Sequence, residues 1–136
     1  MTQQDKELLL KDLPARLLCG VKVKYESPEF DGCALNLESM DVYEDTVNIG
    51  TEYVHCKNYP MTDEEDNLLV KPYLRSMSNM NKVEESYYLL YTFDMQDSSC
   101  AVKVIDWLNE NHFDYRGLIG KGIALEAPDG MYNQQN

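Results

Sequence analysis

Apolar positions in the first twenty residues recur at helical spacing. Leu9, Leu13 and Leu17, with Leu10 beside them, fall at i, i+4 and i+8, and Gln, Asp, Lys and Glu fill the other side, as in an amphipathic helix with one buried face. Pro14 lies inside this pattern and removes an amide hydrogen from the ladder, so a kink or a short restarted helix is expected there. Gly20 supplies a natural stop. The period then changes to two: Val21, Val23 and Tyr25 alternate with Lys22, Lys24 and Glu26, a half-buried strand that Ser27-Pro28 ends. Leu35 with Leu37, and Val47 with Ile49, repeat the alternation more weakly, and Tyr53-Val54 follows Gly50. Short strands in a meander are expected, with Asp31-Gly32 and Glu44-Asp45 near the turns.

Residues 57–67, with the run Asp63-Glu64-Glu65-Asp66, read as a solvated loop. Leu68 to Val70 is a short apolar run that Lys71-Pro72 closes. Asn81 with Glu84 three residues on forms a capping-box pair, so a helix is expected to start there and run into Tyr87-Tyr88-Leu89-Leu90-Tyr91, a stretch whose apolar content also suits a strand. The last helix is capped by Ser98 or Ser99, carries Ala101, Val104, Ile105 and Leu108 as its stripe, and ends at Asn111-His112. Gly117, Gly120 and Gly122 then joint an apolar segment, Pro128-Asp129-Gly130 makes a turn, and the tail from about 130 to 136 is expected to fray. With no repeat and no linker, the 136 residues read as one α+β domain. Its expected architecture is a small antiparallel sheet or partly closed meander, an N-terminal helix, and helices in the C-terminal half.

Charge changes this picture more than composition does. The net charge is −12, and it is concentrated. Residues 26–66 hold twelve Asp and Glu against Lys57 alone, whereas residues 1–25 carry a net +2 and residues 67–136 a net −3. Such a chain lacks the clustered Lys and Arg that grip a phosphate backbone or an anionic membrane. No apolar run reaches spanning length, and Met1 to Glu7 lacks the basic and apolar regions of a secretory signal. The cytoplasm is the expected location, with Cys19, Cys33, Cys56 and Cys100 as free thiols.

Two stretches carry a family resemblance. One is Lys71-Pro72-Tyr73-Leu74-Arg75-Ser76-Met77-Ser78-Asn79-Met80. The other is Asp106-Trp107-Leu108-Asn109, then His112-Phe113-Asp114-Tyr115-Arg116-Gly117-Leu118-Ile119, then Lys121 to Pro128. With Lys11-Asp12-Leu13 and Gly20-Val21-Lys22-Val23, they resemble a family of small uncharacterised proteins of gut Bacteroides genomes, phages and mobile elements. Members usually open the helix after the first motif with a Thr and a run of Glu; Asn81-Lys82-Val83-Glu84-Glu85 keeps that cap chemistry with less charge. The resemblance implies a genomic context and no activity, cofactor or catalytic residue.

Candidate chemistry is thin. His55-Cys56 are neighbours that point to opposite faces of a strand, and no zinc spacing or C-x-x-C occurs. A Cys56 or Cys100 paired in space with His112 is the basis of an alternative reading, a small enzyme. Gly117-x-x-Gly120-Lys121-Gly122 departs from both phosphate-loop patterns. Arg75 and Arg116, one in each motif, are expected at one shared seam. No catalytic, metal or cofactor site is assigned. The reading is a non-enzymatic interaction or regulatory module with a protein partner, a basic one on charge grounds. Asp63, Glu64, Glu65, Asp66, Tyr73, Arg75, Tyr115 and Arg116 are its candidate contacts. A second alternative is an acidic nucleic-acid mimic that blocks a nucleic-acid-binding protein.

Overall fold

The computed structural model describes residues 2–30, 32–43, 46–53, 59–93 and 98–132, with backbone alone for 43, 93 and 98–100. Helix α1 (Gln3–Arg16) opens on Thr2, whose hydroxyl accepts from the Asp5 N–H at 3.1 Å, a cap for one of the orphan amides. It runs through Pro14 to Arg16. A 3-10 turn, Leu17–Cys19, follows and Gly20 ends it in the left-handed region at φ 74°. The buried face is Leu9, Asp12, Leu13 and Arg16, so two charged residues share the stripe with the leucines.

Strands β1 (Lys22–Tyr25), β2 (Ala34–Tyr43), β3 (Thr46–Thr51), β4 (Val70–Leu74) and β5 (Leu125–Glu126) form one sheet in the order β3-β2-β1-β4-β5. All neighbours are antiparallel except β4 and β5. The expected inward residues of β1, β2 and β3 are buried: Val21, Val23, Tyr25, Leu35, Leu37, Val47 and Ile49. The turn at Glu44-Asp45, together with Asp31, Val54, His55 and Cys56, lies outside the described residues.

Two expectations are corrected here. Pro72 does not end the apolar run, because β4 continues through it with Val70, Pro72 and Leu74 all inward. Glu26 N–H donates to Leu69 C=O, so by alternation Pro72 faces Val23 at a pair that exchanges no ladder bonds with β1. Pairing to β5 starts only at Tyr73, and a missing N–H at Pro72 therefore costs no bond. The stretch expected as solvated loop is largely paired. Ile49 N–H donates to Tyr59 C=O, Met61 N–H to Val47 C=O, and Leu69 N–H to Met61 C=O, with Met61 buried. These bonds join the free edge of β3 to the chain entering β4, so the sheet curls into a partly closed circuit, and only 63–67 remains a turn.

Leu9 and Leu13 share one core with the inward residues of the sheet, and Leu118, Ile123 and Ala124 complete it. A second cluster gathers Val104, Leu108 and Phe113 with Tyr88, Tyr91, Trp107 and Tyr115. It holds the antiparallel hairpin of α2 (Lys82–Phe93) and α3 (Ser98–Glu110). The capping box is formed: Glu84 N–H donates to Asn81 Oδ1 at 2.8 Å and Asn81 N–H to Glu84 Oε1 at 3.0 Å. The apolar run 87–91 is helix. In α3 the helix already includes Ser98 and Ser99, so neither stands ahead of it as the expected cap. Ile105, expected in the stripe, is 40% exposed, whereas Trp107 packs against the second cluster.

Helix α3 ends in a Schellman turn. Phe113 N–H donates to Leu108 C=O and His112 N–H to Asn109 C=O, with His112 at φ 64°, in the place glycine normally takes. Met131 and Tyr132 do not fray: Tyr132 is buried and its hydroxyl links Lys22 N–H to Tyr73 C=O at 2.8 and 2.7 Å.

Candidate functional site

The two recognisable motifs meet. Arg75 N–H donates to His112 C=O, and Asp114 N–H donates back to Arg75 C=O, so the end of β4 is stitched to the turn after α3. The Arg75 guanidinium lies 4.2 Å from the centre of the Phe113 ring and grips Glu84 with two 2.7 Å bonds. Burial pushes the Glu84 carboxyl up, but bonds from Arg75 and the Asn81 N–H, with the Arg75 charge, outweigh it and hold it below the usual range. Arg75, expected as a partner contact, is buried, and its charge is spent inside the fold on Glu84.

Next along the seam, Arg16 and Asp12 form a fully buried pair at 2.8 Å, and Arg16 also donates to Phe113 C=O. Arg116, 27% exposed, stands 3.4 Å from Asp12, and Arg16 and Arg116 flank the Tyr115 ring at 5.1 and 5.0 Å. Tyr115 is half-buried and donates to Asn109. Tyr73 gives its carbonyl to Tyr132. These residues lock motif to motif. The Asp114 carboxylate accepts from Leu118 N–H and Ile119 N–H at 2.8 and 3.0 Å, so the amides that a bound phosphate would use are filled from within.

Asp63 organises the acidic turn, accepting from the N–H groups of Glu65 and Asn67; these bonds lower its carboxyl pKa. Glu64, Glu65 and Asp66 are exposed. Asp66 reaches toward Lys6 at 3.9 Å, near the start of α1, whereas the seam touches its end at Arg16, roughly 15 Å along the helix. The candidate contacts therefore divide between two places.

His112 stacks on Tyr132 with ring centres 3.7 Å apart. Burial first, then the charges of Arg16 and Arg75, push its pKa down to about 4. Its proposed partners Cys56 and the Cys100 thiol lie outside the described residues. The Cys19 thiol is raised, by burial and then Glu110, with Asp106 adding and Arg16 opposing; that direction disfavours the thiolate. Among the described residues no three His, Cys, Asp or Glu side chains gather to hold a metal ion, and no helix is long and apolar enough to cross a membrane.

The feature that sequence reasoning missed is a cleft between α2 and α3. Val83, Tyr87 and Tyr91 follow one another at i, i+4 and i+8, and Trp107, Glu110 and Asn111 at i, i+3 and i+4, so each set shares a helix face. Together with Glu84 they line an open cleft of about 510 Å³. Tyr87 and Tyr91 stack at 6.5 Å, and Trp107 sits 6.4 and 6.5 Å from them, tilted by 44° and 47°. The same spacing was available in the sequence once 87–91 is read as helix. Outside the cleft the hairpin leaves Leu89, Leu90 and Val102 between 60% and 69% exposed. Comparisons with protein-family models, with curated proteins and with solved structures return no match.

Proposed function

We propose that the protein is a non-enzymatic interaction module that docks a protein partner on the α2–α3 hairpin. The observation that carries this reading is the hairpin's solvent face. Val83, Tyr87, Leu89, Leu90, Val102 and Ile105 are all at least 40% exposed, on two helices whose inward residues are already satisfied by Val104, Leu108 and Phe113. Isolated exposed apolar residues are ordinary, but six on one supersecondary unit mark a surface that gains free energy when covered. The acidic turn at 63–66 supports the mimic alternative less directly, since its carboxylates occupy one tight turn rather than a phosphate-like rim.

The resemblance of the two motifs to the gut Bacteroides family selects the test. Tagged protein is mixed with nuclease-treated lysate of such a host, alongside Leu90→Glu and a variant with Glu64, Glu65 and Asp66 neutralised. A stoichiometric partner lost with Leu90→Glu and kept by the neutralised variant supports the hairpin. A partner released by salt, lost with the neutralised variant, and displaced from nucleic acid by the protein would replace this reading with mimicry. Retention indifferent to both changes, or no retention at all, sinks the hairpin reading.

A further inference from the structure

Resting on the hairpin as the docking surface, we infer that its aromatic cleft receives an arginine or lysine side chain of the partner. The ring centres of Tyr87, Tyr91 and Trp107 form a nearly equilateral triangle with sides of 6.4 to 6.5 Å. A cation seated above its middle lies roughly 4–5 Å from each ring, inside the ~6 Å reach of a cation–π contact. The rings are accessible, with Tyr87 about half-exposed.

The polar groups of the cleft have the matching sign. Glu110 lines it, and its carboxylate makes no hydrogen bond or ion pair among the described residues. Asn111 also lines it and gives its amide N–H to Trp107 C=O at 2.9 Å, which leaves its side-chain carbonyl free to accept. Among the described residues no Lys or Arg lines the cleft. The Arg75 guanidinium, paired with the lining residue Glu84, is buried and neutralised by it. An incoming anion would meet Glu110 with no compensating donor, whereas a guanidinium finds π faces, a carboxylate and a carbonyl.

The cation belongs to a polypeptide rather than a small ammonium compound. Val83, Tyr87 and Leu90 continue the cleft along α2 at i, i+4 and i+7, and Leu90 is 69% exposed. Covering that stripe requires neighbouring apolar side chains on the same ligand. Arginine suits the site best because its planar head stacks on rings while donating hydrogen bonds from its own edge.

Trp107 is the single tryptophan of the chain, so its emission reports the cleft directly. The probe is a capped peptide of roughly a dozen residues alternating Leu with Arg, compared with matched Lys, Gln and Glu peptides and with tetramethylammonium alone. A saturable emission change is expected with Arg and Lys, with binding about tenfold weaker for Gln and absent for Glu. Tyr87→Leu, which keeps apolar bulk and removes the π face, should weaken the Arg peptide about tenfold. Glu110→Gln should weaken it about fivefold and flatten its salt dependence. Both positions are solvent-exposed, and circular dichroism checks that the variants are folded. Equal binding of Gln and Arg peptides, with both lost in Leu90→Glu, would overturn the cation site and leave the hairpin reading standing. Tetramethylammonium binding as tightly as the Arg peptide would overturn the polypeptide assignment. Silence of Trp107 with the Arg peptide overturns the inference outright, and the lysate experiment then decides the hairpin separately.

Discussion

His112 occupies the left-handed position of a helix-ending turn where a side chain costs on the order of 1 kcal/mol. Its ring, packed on Tyr132 at 3.7 Å, returns some of that cost and is buried beside two arginines that oppose its protonation. Its pKa near 4 fixes the sign of a pH effect. An unfolded chain takes up this proton near pH 6.5, so between about 6.5 and 4 the unfolded state binds more protons than the folded one. The contribution of neutral His112 is therefore whole above pH 6.5 and is lost as pH falls toward 4, by about 2–3 kcal/mol at most. His112→Asn keeps a residue that tolerates the left-handed backbone and removes the titration. Urea unfolding at pH 7 and pH 4.5 should show the wild type losing up to about 2–3 kcal/mol relative to this variant. A gap between the two proteins that stays constant with pH would show that His112 is not held neutral.

At the level of elements, the start of α2 does two jobs with one side chain. Glu84 completes the capping box with Asn81 and also neutralises buried Arg75, joining α2 to β4. Asn81→Ala should cost about 1 kcal/mol, the worth of a cap. Glu84→Gln retains an oxygen for the Asn81 N–H but leaves a buried guanidinium uncompensated, and should cost about 3–5 kcal/mol. Denaturant unfolding at neutral pH separates them; a Glu84→Gln penalty no larger than that of Asn81→Ala would mean that Arg75 finds another partner. The cap was legible in the sequence because it is a local pattern at fixed spacing, as were the alternations of β1, β2 and β3. The ion pair was not, since Arg75 and Glu84 meet only after β4 and α2 are folded against each other. Asp12 and Arg16 escaped notice for a related reason. Pattern reading assigns charges to solvent, and nothing in a single helix shows that two opposite charges four residues apart will neutralise each other inside the core. The cleft had its spacing written in Val83, Tyr87 and Tyr91, yet its third wall, Trp107, depends on how two helices pair.

Over the whole molecule, a partly closed meander was one of the two sheet forms expected, and what the sequence withheld is how it closes. The alternating strands were legible one by one, but the bonds from 59–61 to β3, and from Leu69 to Met61, depend on a turn that composition marked only as acidic and solvated. The C-terminal segment was likewise read as fraying, although it supplies a splice in the sheet. Between the Lys22 N–H and the Tyr73 C=O stands the Tyr132 hydroxyl, accepting from one strand and donating to the other. Burial foremost raises its pKa to about 12, so the hydroxyl stays protonated and able to donate at any ordinary pH. Tyr132→Phe keeps the ring on His112 and removes only this oxygen, orphaning one N–H and one C=O. The loss of stability should be about 1–3 kcal/mol, the cost of leaving a buried polar group unsatisfied. Hydrogen exchange locates the effect: the Lys22 amide should lose protection while the Val23 and Leu35 amides of the intact β1–β2 ladder keep theirs. A Lys22 amide equally protected in the variant would mean that β1 and β4 close directly, and that the C-terminal tyrosine rests on the sheet without holding it together.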